Sequence, residues 1–153
     1  MKKILLLFTS FIFFSPIFAN GQSEIINGID INAPEGFVKS GELMWNKGDE
    51  LVLVNSINAI ISNEDHLLQC KKGSRTTTYL ADDILEFNGK DHIMCLQYGE
   101  NGLAIGQSLV ARDGYSYIIT VGVNPADYED SYEKAFTQVG YLIGYMIARI
   151  RLY

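Results

Sequence analysis

The sequence predicts an α+β domain in which an antiparallel β-meander carries a short helix and a long C-terminal helix. Two turn signals, Asn-Gly at 88–89 and Asp-Gly at 113–114, each stand between runs of β-forming residues. Apolar residues recur at helical spacing over residues 128–150. Together these observations favour consecutive antiparallel strands followed by one amphipathic helix that packs on them.

The hairpin of residues 103–112 and 115–123 is the centre of the predicted sheet. Its Asp-Gly turn supplies the two residues that tolerate the positive φ angles of a type I′ turn. A two-residue turn fixes the register, so Arg112 is expected opposite Tyr115. Neither face of this hairpin is cleanly polar, and large residues stand opposite small ones on both. We therefore expect both faces to be covered, or one to be buried while the other lines a groove.

Further strands are predicted on the N-terminal side of this hairpin. The β-forming stretch from residue 76 to 87 and the stretch 90–98 flank the Asn-Gly turn, which completes a four-stranded meander across residues 76–123. Residues 42–46 and 50–57 suggest an earlier hairpin, and a short strand is expected at 29–31.

The short helix is bounded by recognisable start and stop signals. Ser62 is suited to cap the N-terminus, with Asp65 three residues later. Two lysines at 71 and 72 suit the negative end of the helix dipole, and Gly73 is suited to end the helix.

The long helix is predicted to open at Asn124, with Pro125 in its first turn, and to continue through the apolar stripe at 128–150. Gly140 and Gly144 lie within it, where glycine costs about 1 kcal/mol relative to alanine. A close approach of neighbouring backbone would justify this cost.

Residues 1–21 have the pattern of a secretory signal peptide. Two lysines precede an apolar run at 4–14, and small residues stand before a cleavage point at Gln22, with cleavage after Ala19 as the alternative. The apolar run is short for a membrane anchor, and no cysteine stands at the cleavage point to carry a lipid. The expected product is a single secreted or periplasmic domain, residues 22–153.

The charge balance is acidic. The chain has 12 basic and 18 acidic residues and a net charge of −6, and removal of the two leader lysines leaves 10 − 18 = −8. No basic cluster is present to neutralise phosphates, which argues against nucleic acid and anionic membrane surfaces as partners. After signal removal no membrane insertion is expected.

Cys70 and Cys95 are the two cysteines, and in an oxidising compartment they could form a disulfide that closes about 25 residues. Two separate buried thiols are the alternative. With His66 and His92 they also make a zinc-like ligand set. A shared site is disfavoured, since His92 and Cys95 should point to opposite sides of a strand. No metal site and no cofactor is predicted.

The sequence contains no complete catalytic set. A cysteine–histidine pair would need a reduced thiol, and no Gly-x-Ser-x-Gly nucleophile turn is present. The carboxylate pair Asp82-Asp83 interrupts an apolar stretch, where a β-bulge explains it better than a calcium site does. The enzymatic alternative is a small exported hydrolase that uses His92 with Asp91 or Cys95.

The side chains of Arg112, Tyr115 and Tyr117 share one face of the central hairpin. Arginine and tyrosine are the residue types that most often carry binding energy at interfaces. These three residues are therefore the predicted binding patch for an unknown protein or small-molecule ligand. Substitution of Arg112 and Tyr115 is expected to weaken binding without unfolding the domain.

The order of elements resembles the Mog1/PsbP-like α-β-α sandwich. The similarity lies in Ala-Pro-Glu-Gly-Phe at 33–37, the turn at 113–114 followed by the strand at 115–123, and the closing helix at 128–150. Members of that family are mostly non-catalytic binding or assembly factors. The resemblance therefore implies a secreted or periplasmic non-catalytic binding or accessory domain. The exported hydrolase and a structural component of the cell envelope are the other two classes considered.

Overall fold

A computed structural model describes residues 23–152, and the signal peptide predicted at 1–21 lies outside them. Seven strands of the described chain form one antiparallel sheet in the order β3-β4-β5-β9-β8-β7-β6. The strands are β3 (Val38–Gly41), β4 (Met44–Lys47), β5 (Glu50–Ile57), β6 (Thr77–Phe87), β7 (Lys90–Gly99), β8 (Ala104–Arg112) and β9 (Tyr115–Val123). With helices α1 (Asn63–Lys72) and α2 (Tyr132–Leu152), they confirm the predicted α+β class and the meander of its last four strands.

The two hairpin turns have the predicted backbone conformation. Asp113 and Gly114 both have positive φ angles, of 52° and 85°, and Arg112 pairs with Tyr115. The turn at 88–89 is formed in the same way, with φ angles of 49° and 70°. Local chemistry thus sets the pairing next to the two tight turns, between β6 and β7 and between β8 and β9.

A second, two-stranded sheet precedes the main one. Strands β1 (Ser23–Ile26) and β2 (Ile29–Asn32) are joined at Asn27-Gly28, whose φ angles are 50° and 78°. The strand at β2 was predicted, but β1 was not, because its polar and apolar residues give no long alternation. The Asn-Gly pair was the signal that could have revealed it.

Helix α1 begins and ends where the sequence predicts. The Ser62 hydroxyl accepts a hydrogen bond from the backbone amide of Asp65 at 3.0 Å, and Gly73 ends the helix with a φ of 64°. The cap satisfies one of the amides that a helix N-terminus leaves without a partner.

The prediction of one continuous last helix is wrong. Asn124 does cap a helix, but it is the short 3-10 helix Pro125–Tyr128. Glu129 and Asp130 then adopt positive φ angles of 57° and 55°, which an α-helix does not tolerate. The α-helix therefore starts afresh as α2.

The prediction of an interruption at Asp82-Asp83 is also wrong. Strand β6 runs through both residues, which pair with Cys95 and Met94. The register shift lies between Tyr79 and Ala81 instead. A bulge therefore exists in this strand, but the carboxylate pair does not cause it.

The two helices lie on opposite faces of the sheet. Cys95 of β7 meets Cys70 of α1, whereas a side chain at Gly140 of α2 would be in contact with the neighbouring β7 residue, Met94. Successive residues of a strand point to opposite faces, so α1 and α2 cover different faces. The main core lies between α2 and the sheet, where Ile119, Val121, Val139, Ile143 and Met146 have no exposed surface.

Within residues 23–152, neither helix has the length and apolar character needed to cross a lipid bilayer.

Candidate binding cavity

The structure does not place the predicted patch residues together on the surface. Tyr117 has 0% of its surface exposed, and its hydroxyl accepts a hydrogen bond from Asn27 Nδ2 at 3.0 Å. Arg112 donates from Nη1 to the carbonyl of Ile150 at 2.5 Å, so it caps the C-terminus of α2. Tyr115 is half-buried beside Tyr117. Tyr117 is thus a core residue, and ligand binding by Arg112 and Tyr115 stays a prediction.

The four cysteine and histidine side chains do not converge. The sulfur atoms of Cys70 and Cys95 lie at bonding distance, with their Cα atoms 6.4 Å apart, and link α1 to β7. His66 is buried on α1, whereas His92 contacts Arg151 of α2 on the other side of the sheet. Among residues 23–152, no group of three or more histidine, cysteine or acidic side chains is arranged to hold a metal ion.

A cavity of about 240 Å³ opens where four elements meet. The start of β7, the end of β8, the start of α1 and the end of α2 all contribute to its lining. Its polar side chains are Asn63, Lys90, Asp91, His92 and Arg151, and its apolar side includes Leu109 and Val110. Polar groups in a small-molecule site fix the orientation of the ligand, and the apolar side supplies contact area.

His92 lines this cavity with both ring nitrogens already in contact with protein groups. Only 7% of the residue is exposed. Its Nε2 lies 3.0 Å from Arg151 Nη1, and its Nδ1 lies 3.5 Å from the carbonyl oxygen of Leu109. A guanidinium can only donate, so Nε2 must accept, and the ring proton of the neutral imidazole must sit on Nδ1 and point to Leu109. The surroundings therefore fix one neutral tautomer.

Burial is the main reason why the pKa of His92 lies below its ordinary value of 6.5. The weak hydrogen bond to the Leu109 carbonyl opposes this effect, and the charges of Arg151 and Lys90 add to it. A buried imidazole next to a guanidinium stays neutral because a second positive charge there would be neither solvated nor paired.

Arg151 is held from two sides. Its guanidinium carbon lies 5.7 Å from the centre of the Phe87 ring, and one of its N–H groups donates to His92. In the part of the chain that the structure describes, neither Arg151 nor Lys90 forms an ion pair with a carboxylate. The cavity thus presents an oriented guanidinium with donors to spare.

A second surface depression, of about 450 Å³, is lined by Asp49, Glu50, Asp127 and Tyr128, among others. Two of its three carboxylates, those of Asp49 and Glu50, already have partners. The Tyr128 hydroxyl donates to Glu50, and Asn124 Nδ2 donates to Asp49 at 3.0 Å. Burial and this bond to Glu50 raise the pKa of Tyr128. These internal bonds explain the arrangement without a ligand.

The low pKa values of the two histidines predict a pH dependence of stability. Burial lowers the pKa of both His66 and His92, so the unfolded chain takes up protons at a higher pH than the native state does. The contribution of these two histidines to stability is therefore fully present above pH 6.5, their ordinary pKa. It is lost as the pH falls from there toward the native pKa values. We expect a lower midpoint of urea unfolding at about pH 5.5 than at about pH 7.5.

Substituted proteins separate this effect from that of the carboxylates. In the double variant His66→Gln/His92→Gln, most of the pH dependence in this window should disappear, because no other side chain ordinarily titrates there. An equally steep dependence in the double variant would show that the histidines do not cause it.

Arg151 did not emerge from the sequence as a site residue. Its position near the end of an amphipathic helix indicates only a favourable interaction with the helix dipole. Its contact with His92 spans 59 residues of chain, and no local pattern reports such a contact. The position of Lys90 directly after the Asn-Gly turn, two residues before His92, was the single local hint of a cationic group beside this histidine.

In comparisons with known proteins, no protein-family model matches this chain, and no curated protein matches it either.

Proposed function

We propose that this protein is an exported, non-catalytic binding or accessory domain that takes a small ligand in the cavity beside His92. The observation that carries the proposal is the bonding of His92. Both ring nitrogens are engaged by protein groups, so the imidazole is a structural support rather than a free acid or base. The cavity next to it is lined by groups suited to hold a ligand.

Two features support the export part of the proposal. Cys70 and Cys95 lie at bonding distance, and disulfides persist in secreted and periplasmic proteins. The pattern of residues 1–21 is that of a signal peptide. Both features are consistent with a secreted or periplasmic domain of residues 22–153. The resemblance to the Mog1/PsbP-like sandwich, whose members are mostly binding or assembly factors, supports the binding part of the proposal.

The second candidate is the exported hydrolase that uses His92. The presence of a cavity beside a buried histidine favours it. Its chemistry would need a partner, however, and the sulfur of Cys95 is at bonding distance from Cys70. His92 Nδ1 lies against the carbonyl of Leu109 rather than a carboxylate of Asp91. Among residues 23–152, no carboxylate is hydrogen-bonded to a ring nitrogen of His92 as in a catalytic triad, so the binding function is preferred.

The test maps the binding of small molecules onto the protein and covers several chemical classes of ligand at once. Amide chemical shifts of the isotope-labelled domain are recorded with a library of small neutral, cationic and anionic compounds. We expect at least one class of compound to shift the amide signals of residues at the start of β7 and the end of β8. The variant Ala111→Trp places a large ring at the exposed edge of the cavity and should abolish these shifts.

Ala126→Trp is the matched control, because it adds the same ring at an exposed alanine outside the cavity. The proposal would be overturned if binding persisted unchanged in Ala111→Trp. It would also be overturned if no compound of the library shifted the amide signals of the cavity residues. Turnover of an ester substrate that is lost in His92→Gln would favour the hydrolase instead.

A further inference from the structure

The polar lining of the cavity has an excess of positive charge in an otherwise acidic chain. Lys90 and Arg151 contribute two cations against the single carboxylate of Asp91, whereas the whole chain has a net charge of −6. The neutral tautomer of His92 adds no charge of its own. A local reversal of sign in a concave site attracts ligands of the opposite charge.

Arg151 is oriented before any ligand arrives. The Phe87 ring lies under one face of the guanidinium, at 5.7 Å, and His92 fixes one edge through a hydrogen bond of 3.0 Å. A guanidinium has five N–H donors, and one hydrogen bond from it is formed to the described residues. A planar fork held in this way matches the two oxygen atoms of a carboxylate or phosphate.

The start of helix α1 adds a weaker contribution of the same sign. Asn63, its first residue, also lines the cavity, so the positive end of the helix dipole lies at the same opening. The acidic residues Glu64 and Asp65 in the first turn reduce this contribution. The oriented arginine is therefore the principal anchor, and Lys90 is the second.

We infer that the ligand of this cavity carries an oxyanion, either a carboxylate or a phosphate, that binds to Arg151 with help from Lys90. This inference rests on the proposed function, because it names the chemical class of the ligand that the same cavity would take. The volume of about 240 Å³ restricts the bound part to a small group. The cavity anchors one charged end of a metabolite or of a phosphorylated compound.

The test titrates the purified domain with acetate, inorganic phosphate and acetamide while amide chemical shifts are followed. Acetamide is the neutral counterpart of acetate and has nearly the same shape. We expect acetate or phosphate, but not acetamide, to shift the amides of Lys90 and His92. Arg151→Gln should weaken this binding about tenfold or more, since a charge-assisted hydrogen bond is lost.

The variants are chosen so that loss of fold does not imitate loss of binding. Lys90→Gln alters an exposed side chain and should weaken binding by a smaller factor while the thermal unfolding midpoint stays unchanged. Arg75→Gln is the control, because it removes one positive charge from an exposed position outside the cavity. It should bind as the unmodified protein does.

The outcomes separate this inference from the proposed function. Acetate binding without phosphate binding identifies a carboxylate ligand, and the reverse identifies a phosphate, and either result supports the inference. If acetamide binds as well as acetate and Ala111→Trp blocks both, the cavity is a ligand site but the inference is wrong. If Arg75→Gln weakens anion binding as much as Arg151→Gln, only the overall charge matters and the inference is again wrong. If no compound of any class binds, both proposals are wrong.

Discussion

Replacement of Gly106 by valine should unfold or severely destabilise the domain. Gly106 lies on β8 under helix α2, and a Cβ atom built there would stand 2.8 Å from Ile143 Cδ1 and closer still to Val139 Cγ1. Both neighbours are fully buried, so they have little free space to move into. Overpacking of this kind costs about 1–3 kcal/mol or more, and valine adds two further methyl groups to the same crowded site.

The expected loss is measured by urea unfolding followed by circular dichroism. Gly122→Ala is the matched control, because among the described atoms its Cβ would meet only Leu103 Cδ1, at an ordinary 3.6 Å. Its stability should stay within about 0.5 kcal/mol of the unmodified protein. The milder variant Gly106→Ala should regain stability when Val139→Ala is added. A Gly106→Val protein of normal stability would show that α2 does not pack against β8 as described.

This result would also show that a glycine of the strand, and not one of the helix, allows α2 to pack closely on the sheet. A close backbone approach would have justified Gly140 and Gly144 on the helix side, but among the described residues no backbone of another element comes within 4 Å of a Cβ built at either one. A Cβ at Gly140 would meet Met94 Cε at an ordinary 3.8 Å, and at Gly144 it would meet no atom within 4 Å of those described. The small residue on which the packing depends is Gly106.

Loss of the Cys70–Cys95 link should cost about 3–4 kcal/mol of stability, by the chain-entropy estimate for a closed loop of about 25 residues. The cross-link joins α1 to β7 and restricts the unfolded chain. The double variant Cys70→Ala/Cys95→Ala removes it without leaving a free thiol. Its free energy of unfolding is compared with that of the unmodified protein with and without a thiol reductant.

The reductant provides the internal control for this experiment. It should lower the stability of the unmodified protein toward that of the double variant and leave the variant unchanged. The intact mass should rise by about two units on reduction, because two hydrogen atoms are added. An unchanged mass and an unchanged stability would mean that the two sulfur atoms are not bonded.

Local features of this chain were predictable because a few neighbouring residues decide them. The turns at 88–89 and 113–114 need positive φ angles, which Asn, Asp and Gly adopt at low cost, and a two-residue turn fixes the register of its strands. The Ser62 cap is equally local, since one hydroxyl satisfies an amide three residues later. The α+β class followed from such features together with the helical spacing of the apolar residues.

Where local signals conflicted, the sequence was a poorer guide. Asn124 was correctly identified as a cap, but the end of its helix at Tyr128 was missed, since glutamate and aspartate at 129 and 130 do not ordinarily adopt positive φ angles. At Asp82-Asp83 two carboxylates suggested a break, yet an edge strand can carry charged side chains toward solvent without leaving the sheet.

The sequence by itself determined the strands of the meander, the register of the hairpin at Asp113-Gly114 and the short helix, because these depend on contacts between residues close along the chain. Only the tertiary structure decided that Tyr117 is buried, that Arg112 caps α2, and that Arg151 reaches His92. The reason is distance along the chain: the last two of these contacts span 38 and 59 residues. Such partners become apparent only when the sheet and the helix have packed together in the tertiary structure.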